Sequence, residues 1–401
     1  DGFAFESLPV DFPHLEPLLE TAMARFQGLE SAGIQLFFNG PESFTPDDRY
    51  LLGETPEVAD LFVACGFNSI GIQSAGGAGK VLAEWIVRGR PPMDLWDVDI
   101  RRTFSYQSNE EFLRERTTET LGLLYDMHWP HRQYATGRNV FLSPLHQKLL
   151  DSGAVMGEVA GFERPNWYAF AGESEYRHTY GKPNWFEACQ RECELVQNSV
   201  ALFDQSSYPI FKVVGPEAMG FLNNLSANQV DVKPGEIVYT QWLNESGGIE
   251  SDVTITRLSS EEFMVVGACA SSRRDYYWMR QHSQTFDCLI KPDEELCILG
   301  VMGPKSRELL AGLMKSPDSI HRLDYYSSAL IELSGIGVRA NRLSYVGELG
   351  YELYVDRQEV GPLVDLISQC ETDIEVGLAG FHAMNACRME KGYRHWGHDI
   401  H

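Results

Sequence analysis

The sequence predicts a multidomain chain of α+β and α/β character, and three observations carry that expectation. A chain of 401 residues exceeds what one ordinary core organises, so two or three domains are expected. Residues 66–89 read as strand, glycine-rich turn and helix. Further along, an apolar strand followed by Gly-Pro and a helix occurs twice.

Composition narrows the class. An apolar content of 43% with 22% charged residues is that of a soluble globular protein. A net charge of −24 opposes a nucleic-acid partner, whose phosphates require clustered Lys and Arg, and equally an anionic membrane surface. No apolar run approaches the roughly 20 residues of a spanning helix. The eight cysteines are dispersed without a CxxC, which suits a reducing compartment. Cys189 and Cys193 lie four apart on an expected helix and read as apolar thiols, since no second pair accompanies them. No signal peptide is recognisable, and because the chain begins at Asp1 an upstream segment is expected to be missing.

In chain order, "LEPLLETAMARF" reads as a helix, "GIQLFFNG" as an apolar strand, and "NGPESFTPDDRYLLGETPEV" as turns. The strand–turn–helix unit follows. Its helix places Leu82, Trp85, Ile86 and Gly89 on one face, and Pro91 and Pro92 end it. From there to about residue 145 the chain is aromatic and Arg-rich, read as a connecting segment with two helices. "FKVVGPEAMGFLNNL" (211–225) and "LGVMGPKSRELLAGL" (299–313) are the repeated strand–Gly-Pro–helix units. Proline is tolerated in a first helical turn because its missing N–H has no partner there. The copies are too far apart for a solenoid, so two related α+β halves around a shared centre are expected.

Four stretches carry candidate chemistry. "GIQSAGGAGK" is neither a P-loop, because Ser74 and Val81 break that pattern, nor a dinucleotide fingerprint, because Leu82 stands where a third glycine belongs. It leaves a turn of Gly76, Gly77 and Gly79 at a helix N-terminus. That turn serves either to hold an anionic group or simply to join strand and helix. "YTQWLNESGGIESDVTITRL" reads as a hairpin whose second strand opens near Asp252; an Asp there is ordinarily a cap or a solvated residue. "SYVGELGYELYV" (344–355) alternates and carries glycines, so one face admits a flat ligand. In the last stretch, His395, His398 and His401 recur every three residues but have no acid or Cys to complete a zinc set, and "HWPH" (128–131) is read the same way.

"NGPESFTPDDRYLLGE", "GFNSIG…GGAGKVLAEWIVRGRPPMDLWDVDIRR" and "TGRN…SPLH…GAVMGEVAGFERPNWY" together resemble the sarcosine and dimethylglycine dehydrogenase family. The resemblance runs from about residue 35 to the end. It implies the C-terminal part of a glutathione-reductase-like or D-amino-acid-oxidase-like FAD domain over 1–90, a central segment over 91–145, and a folate domain like the glycine-cleavage T-protein over 146–401. The dinucleotide fingerprint near the start of the FAD domain and a C-terminal barrel are then expected to be missing. Implied cofactors are FAD, near Gly71, Gly76, Gly77, Gly79 and Lys80, and tetrahydrofolate. The resemblance makes Asp252 catalytic and sets Tyr239, Tyr345, Glu352, Arg388 and Trp396 around the folate. Glu352 would accept from the pterin's amino-pyrimidine edge, Arg388 suits the folate glutamate tail or a neighbouring Asp, and Trp396 suits stacking. Glu348 is expected to bind backbone N–H groups.

The implied activity is oxidative demethylation of an N-methylated amine, with an electron acceptor for the reduced flavin and transfer of the carbon to folate. The expected setting is the cytoplasm, or the mitochondrial matrix in a eukaryote, without membrane insertion. Two other readings stay open. The pyruvate dehydrogenase phosphatase regulatory subunit is similar in architecture and is a regulatory protein, and a folate-binding aminomethyltransferase module is the third.

Overall fold

The chain divides into two units at Ile100/Arg101. The structure is a computed structural model that describes residues 7–170 and 175–400.

In the first unit, helix α1 (Phe12–Arg25) starts at Asp11, whose carboxylate accepts from the N–H of His14 at 3.1 Å. Strands β1 (Leu51–Glu54) and β2 (Phe62–Cys65) form an antiparallel pair, and helix α2 (Gly71–Arg88) packs on it through buried Trp85 and Ala78. Gly53 is required here: its φ is +110°, and a Cβ would lie 2.5 Å from the Trp85 ring. Helix α2 stops at Gly89, which takes the left-handed conformation at φ 69° before the prolines are reached. Two expectations fail. Residues 33–40 form no strand: among the described residues a single bridge, Leu8 to Asn39, is all the pairing they have, and Leu36 and Phe38 are exposed. Ile86 faces outward, while Trp85 turns in.

The second unit begins with helix α3 (Glu110–Leu123), capped by the Asn109 side chain on two N–H groups. The remainder of the segment read as two helices makes only short 3-10 turns, among them Ser105–Ser108. After helix α4 (His146–Asp151), β3 (Ala154–Val159) and β4 (Phe162–Tyr168) pair as a hairpin. Next come helix α5 (Phe186–Asn198), β5 (Val200–Asp204), β6 (Ile210–Val214) and helix α6 (Ala218–Leu225). The hairpin β7 (Ile237–Leu243) and β8 (Ile249–Arg257) follows, then β9 (Glu262–Val266), helix α7 (Ser272–His282), β10 (Leu289–Pro292), β11 (Leu296–Met302) and helix α8 (Ser306–Gly312). The chain continues through α9 (Asp318–His321), β12 (Ser327–Leu333), β13 (Ile336–Arg342), β14 (Gly350–Asp356), α10 (Val360–Gln369), β15 (Val376–Leu378) and α11 (Phe381–Glu390).

These strands build a five-stranded sheet, β10-β6-β9-β8-β7, and a six-stranded one, β12-β13-β14-β11-β5-β15. The repeated motif is β6–α6 in the first and β11–α8 in the second. Each sheet has its own core: Phe221, Trp242, Phe263 and Trp278 in one, Leu202, Val301, Leu353 and Val364 in the other. Ile210, Met264 and Val266 from the first sheet meet Ile298 and Tyr354 from the second in one apolar cluster. Backbone bonds join them as well, Ile237 N–H to the Tyr326 carbonyl at 2.8 Å and Ser328 N–H to the Gly235 carbonyl at 2.7 Å. Two α+β halves therefore share a centre, as the repeat predicts.

Candidate functional site

The β7–β8 hairpin places Asp252. Asn244 closes its turn, the side chain accepting from the N–H groups of Ser246 and Gly248. Register then sets Asp252 opposite Gln241, with Tyr239 its diagonal neighbour on the same face. The two neighbours hold the carboxylate: Gln241 Nε2 donates to Oδ1 at 2.9 Å and the Tyr239 hydroxyl to Oδ2 at 3.1 Å. Burial raises the Asp252 pKa above its ordinary value, and these two bonds oppose the rise. The expected solvated or capping Asp is instead a half-buried, doubly held carboxyl.

Glu352 lies in the middle of β14, opposite Gly300 of β11 and Asn341 of β13. It is buried, and burial pushes its pKa up to about 7 against bonds from Tyr354 and Gln205. The Tyr354 hydroxyl donates to Oε2 at 2.7 Å. A Cβ on Gly300 would stand 2.5 Å from Gln205 Oε1, so glycine there makes room for the amide. The same Oε1 is buried without a hydrogen-bond partner. A buried acid beside an unused acceptor is a pair that seeks donors.

Two tyrosines connect the carboxyls. Burial raises the Tyr345 phenol, Arg388 opposes this, and the Asp252 carboxylate adds to it. The Tyr208 phenol is pushed up to about 12 by burial, with Arg164 opposing and with Glu352 and Tyr345 adding. Tyr345 also donates to the Arg394 carbonyl at 2.9 Å and lies parallel to Tyr393, centroids 6.2 Å apart. A cavity of about 280 Å³, lined by Tyr325, Arg342, Ser344, Gly347, Glu348 and Tyr393 among others, opens on the loop that carries Tyr345. Neither Asp252 nor Glu352 lines it.

The other expected residues have partners within the protein. Arg388 is buried on α11; its guanidinium donates to Asn385 Oδ1 at 2.8 Å and the Tyr393 carbonyl at 3.0 Å, and pairs with Asp399. The neighbouring Asp expected for it is Asp399. The Trp396 ring lies 5.4 Å from the Arg274 guanidinium. Glu348 pairs with Lys391 Nζ at 2.9 Å and is thus an ion-pair member rather than a binder of backbone N–H groups. His395 and His398 face each other at 4.3 Å; His401 lies outside the described residues. Among the described residues, no group of three or more His, Cys, Asp and Glu stands together as a metal site.

The glycine-rich stretch needs correction. Gly76, Gly77 and Gly79 form no turn: α2 begins at Gly71 and runs through them, so their N–H groups belong to the helix ladder. Their flank is bare, with nothing within 4 Å of where a Cβ would stand. The real turn is Gly66–Ile70, with Gly66, Asn68 and Ser69 at positive φ. Buried Asn68 fixes it by accepting from Thr45 N–H at 2.7 Å and donating to the Gly66 carbonyl at 2.7 Å. No side chain caps α2, so its first N–H groups beside Gly71 suit an anionic or electron-rich ligand. Lys80, nine residues on, stands about 13 Å along the axis from that end.

Unassigned by the sequence reading were Gln205, Tyr208 and Tyr354. Tyr354 was within reach of pattern reasoning, since residues two apart on a strand share a face. Gln205 and Tyr208 follow β5 in an irregular stretch with no periodic signal.

Comparison with known proteins agrees with this architecture. Residues 145–401 match the family described as GCVT N-terminal domain, 88–143 the FAD dependent oxidoreductase central domain, and 1–85 FAD dependent oxidoreductase. The second unit has the fold of the glycine cleavage system aminomethyltransferase T of Bartonella henselae, with TM-score 0.55, 24% identity and 65% of each chain covered. The whole chain is 41% identical to a 4-methylaminobutanoate oxidase (formaldehyde-forming) of Paenarthrobacter nicotinovorans and 34% identical to the mitochondrial sarcosine dehydrogenase of Mus musculus. It spans about half the length of these relatives, 48% of each. The chain belongs to the sarcosine and dimethylglycine dehydrogenase family, in which an FAD dependent oxidoreductase is joined to a GCVT domain. No helix among the described residues is long and apolar enough to cross a membrane.

Proposed function

We propose that this chain supplies the folate-handling unit and a flavin-facing segment of an enzyme that oxidatively demethylates an N-methyl amino acid of the sarcosine or dimethylglycine type. The methyl carbon would pass to tetrahydrofolate. The activities for which the relatives are named support the amine chemistry, and their mitochondrial members support a matrix setting in a eukaryote, the cytoplasm otherwise.

FAD, when bound, supplies the two-electron oxidation, and its reoxidation requires an external acceptor. Toward it this chain offers the uncapped start of α2 at Gly71, with the bare flank of Gly76, Gly77 and Gly79 beside it. Lys80 would meet only a group that extends along the helix.

For folate, Glu352 and Gln205 Oε1 would accept from the pterin edge, and Tyr239 and Tyr345 would flank the ring. Arg388 acts at one remove, holding the segment that carries Tyr393 and Asp399. The single observation that carries the reading is Asp252. A half-buried acid, oriented by two donors and electrostatically linked to Tyr345, can take up the proton released as a folate nitrogen gains carbon. A regulatory protein built on the same frame would not require that proton transfer, so turnover, rather than the presence of the acid, separates the two readings.

The test uses the whole enzyme. Asp252→Asn keeps the hydrogen-bonding shape and removes the proton acceptor, so methylenetetrahydrofolate formation should fall by about 10²–10⁴-fold. Bleaching of the flavin spectrum by sarcosine or dimethylglycine should persist. Unchanged methylenetetrahydrofolate formation would overturn the role of Asp252. A colourless whole protein that still binds folate would point to a folate-binding module instead.

A further inference from the structure

Helices α5 and α11 pack side by side, and each presents a cysteine to the contact. Cys193 on α5 and Cys387 on α11 belong to one apolar cluster with Val196, Phe203, Met302 and Met384. The two side chains are near enough to act on one another's ionisation, and Cys193 Sγ lies 3.8 Å from the carbonyl of Ala383, one helical turn before Cys387. Gln197 Nε2 donates to Glu390 at 3.0 Å across the same pair of helices. Neither cysteine is joined to another residue. Cys193 is half-buried and Cys387 is buried. None of the chemistry assigned to Asp252 or Glu352 uses these sulfurs.

From this geometry we infer that Cys193 and Cys387 are a dithiol oxidation site that closes to a disulfide under a hydroperoxide oxidant. The two cysteines divide the work. The neighbouring Cys387 thiol favours the Cys193 thiolate, lowering its pKa, while the Cys387 thiol is raised by Cys193 and by burial. Cys193 is also the more accessible sulfur, so it is the nucleophile.

Its thiolate attacks the peroxide oxygen. The O–O bond breaks, one oxygen leaves as water after taking a proton, and Cys193 becomes a sulfenic acid. The Cys387 sulfur then attacks the sulfenyl sulfur, the S–S bond forms, and hydroxide leaves as water with the Cys387 proton. Two thiols are oxidised by two electrons, and one peroxide is reduced to two waters.

The consequence is mechanical. The bond fastens α11 to α5 one residue before Arg388, whose side chain holds Tyr393 and Asp399. Oxidation therefore stiffens the segment beside Tyr345 without touching a carboxyl.

The full-length protein, treated with millimolar hydrogen peroxide and alkylated without reduction, should lose about 2 Da at the linked pair. A peptide joining Cys193 to Cys387 should appear and vanish on adding a thiol reductant. Amide exchange across α11 should slow in the oxidised form. Cys193→Ser should abolish the link, and Cys387→Ser should leave a sulfenic acid at Cys193 that a sulfenic-acid-selective probe labels. The inference is overturned if no linked peptide forms, if Cys193 links to Cys189 instead, or if both sulfurs oxidise separately. Mapping the unmutated protein decides the matter even if a serine variant fails to fold.

Discussion

The two sheets of the second unit are built alike yet use their acids differently. In each, a strand ends in Gly-Pro and turns into a helix, and the glycine has a backbone conformation open to few other residues: φ 146° at Gly215 and 135° at Gly303. The acids diverge. Asp252 sits on a hairpin strand, half-exposed, and takes its orientation from donors on the neighbouring strand. Glu352 is sealed inside the six-stranded sheet, held by Tyr354 from its own strand and by Gln205 from the stretch after β5. A repeated scaffold thus fixes the frame, while burial raises both carboxyls against their hydrogen bonds and carries Glu352 up to about 7.

The largest effect is expected where the two halves agree. A Cβ on Gly303 would press on the Ser199 carbonyl oxygen, and one on Gly215 would stand 2.5 Å from the Asp287 carbonyl oxygen. Strained φ and overpacking add, so Gly303→Ala should cost about 3–5 kcal/mol and Gly215→Ala somewhat less. Chemical denaturation of both variants checks this. Equal, small losses would mean that the turns relax and the likeness of the halves is superficial.

Where the halves differ, pH separates them. The Glu352 pKa is raised from 4.5 to about 7 by burial, so the folded protein holds an extra proton between those values. Its contribution to stability is fully present below about pH 4.5 and is lost as pH rises through 7. A ligand edge that donates to the carboxylate must displace that proton. Affinity for a reduced folate should therefore climb roughly tenfold from pH 6 to pH 8 and then level. Glu352→Gln should flatten the profile and weaken binding by about 10–100-fold, the worth of a charge-assisted bond. Titration calorimetry at several pH values tests it; a pH-independent affinity in the unmutated protein would remove Glu352 from the ligand.

Much of this frame was legible in the sequence. Gly-Pro after an apolar strand specified both repeats, and "LNESGG" specified the hairpin that positions Asp252, because turn chemistry is local. Resemblance gave Glu352 its place. What remained hidden is non-local. Nothing in the alternation around Tyr239 says that its hydroxyl meets Asp252, and nothing near Gln205 says that its side chain meets Glu352. The identity of the Asp beside Arg388 was hidden because only the folded chain brings Asp399 back against α11.

The misread glycines show the opposite failure, where a local rule was applied too strongly. Three glycines in four residues suggest a turn, and each costs a helix about 0.5–1 kcal/mol relative to Ala. The helix forms regardless, because Trp85 and Ala78 are buried against the β1–β2 pair and tertiary packing outweighs propensity.

The smallest predicted effect follows from this. Gly76 and Gly77 are exposed, and a Cβ on either meets nothing within 4 Å. Gly76→Ala or Gly77→Ala should therefore stabilise the first unit by about 0.5–1 kcal/mol, seen as slower amide exchange across Gly71–Arg88. In the whole enzyme the same methyl should lower the flavin content if the bare flank is where the cofactor approaches. A stabilised helix with full flavin content would confine the cofactor contact to Gly71 and leave the other glycines without a ligand.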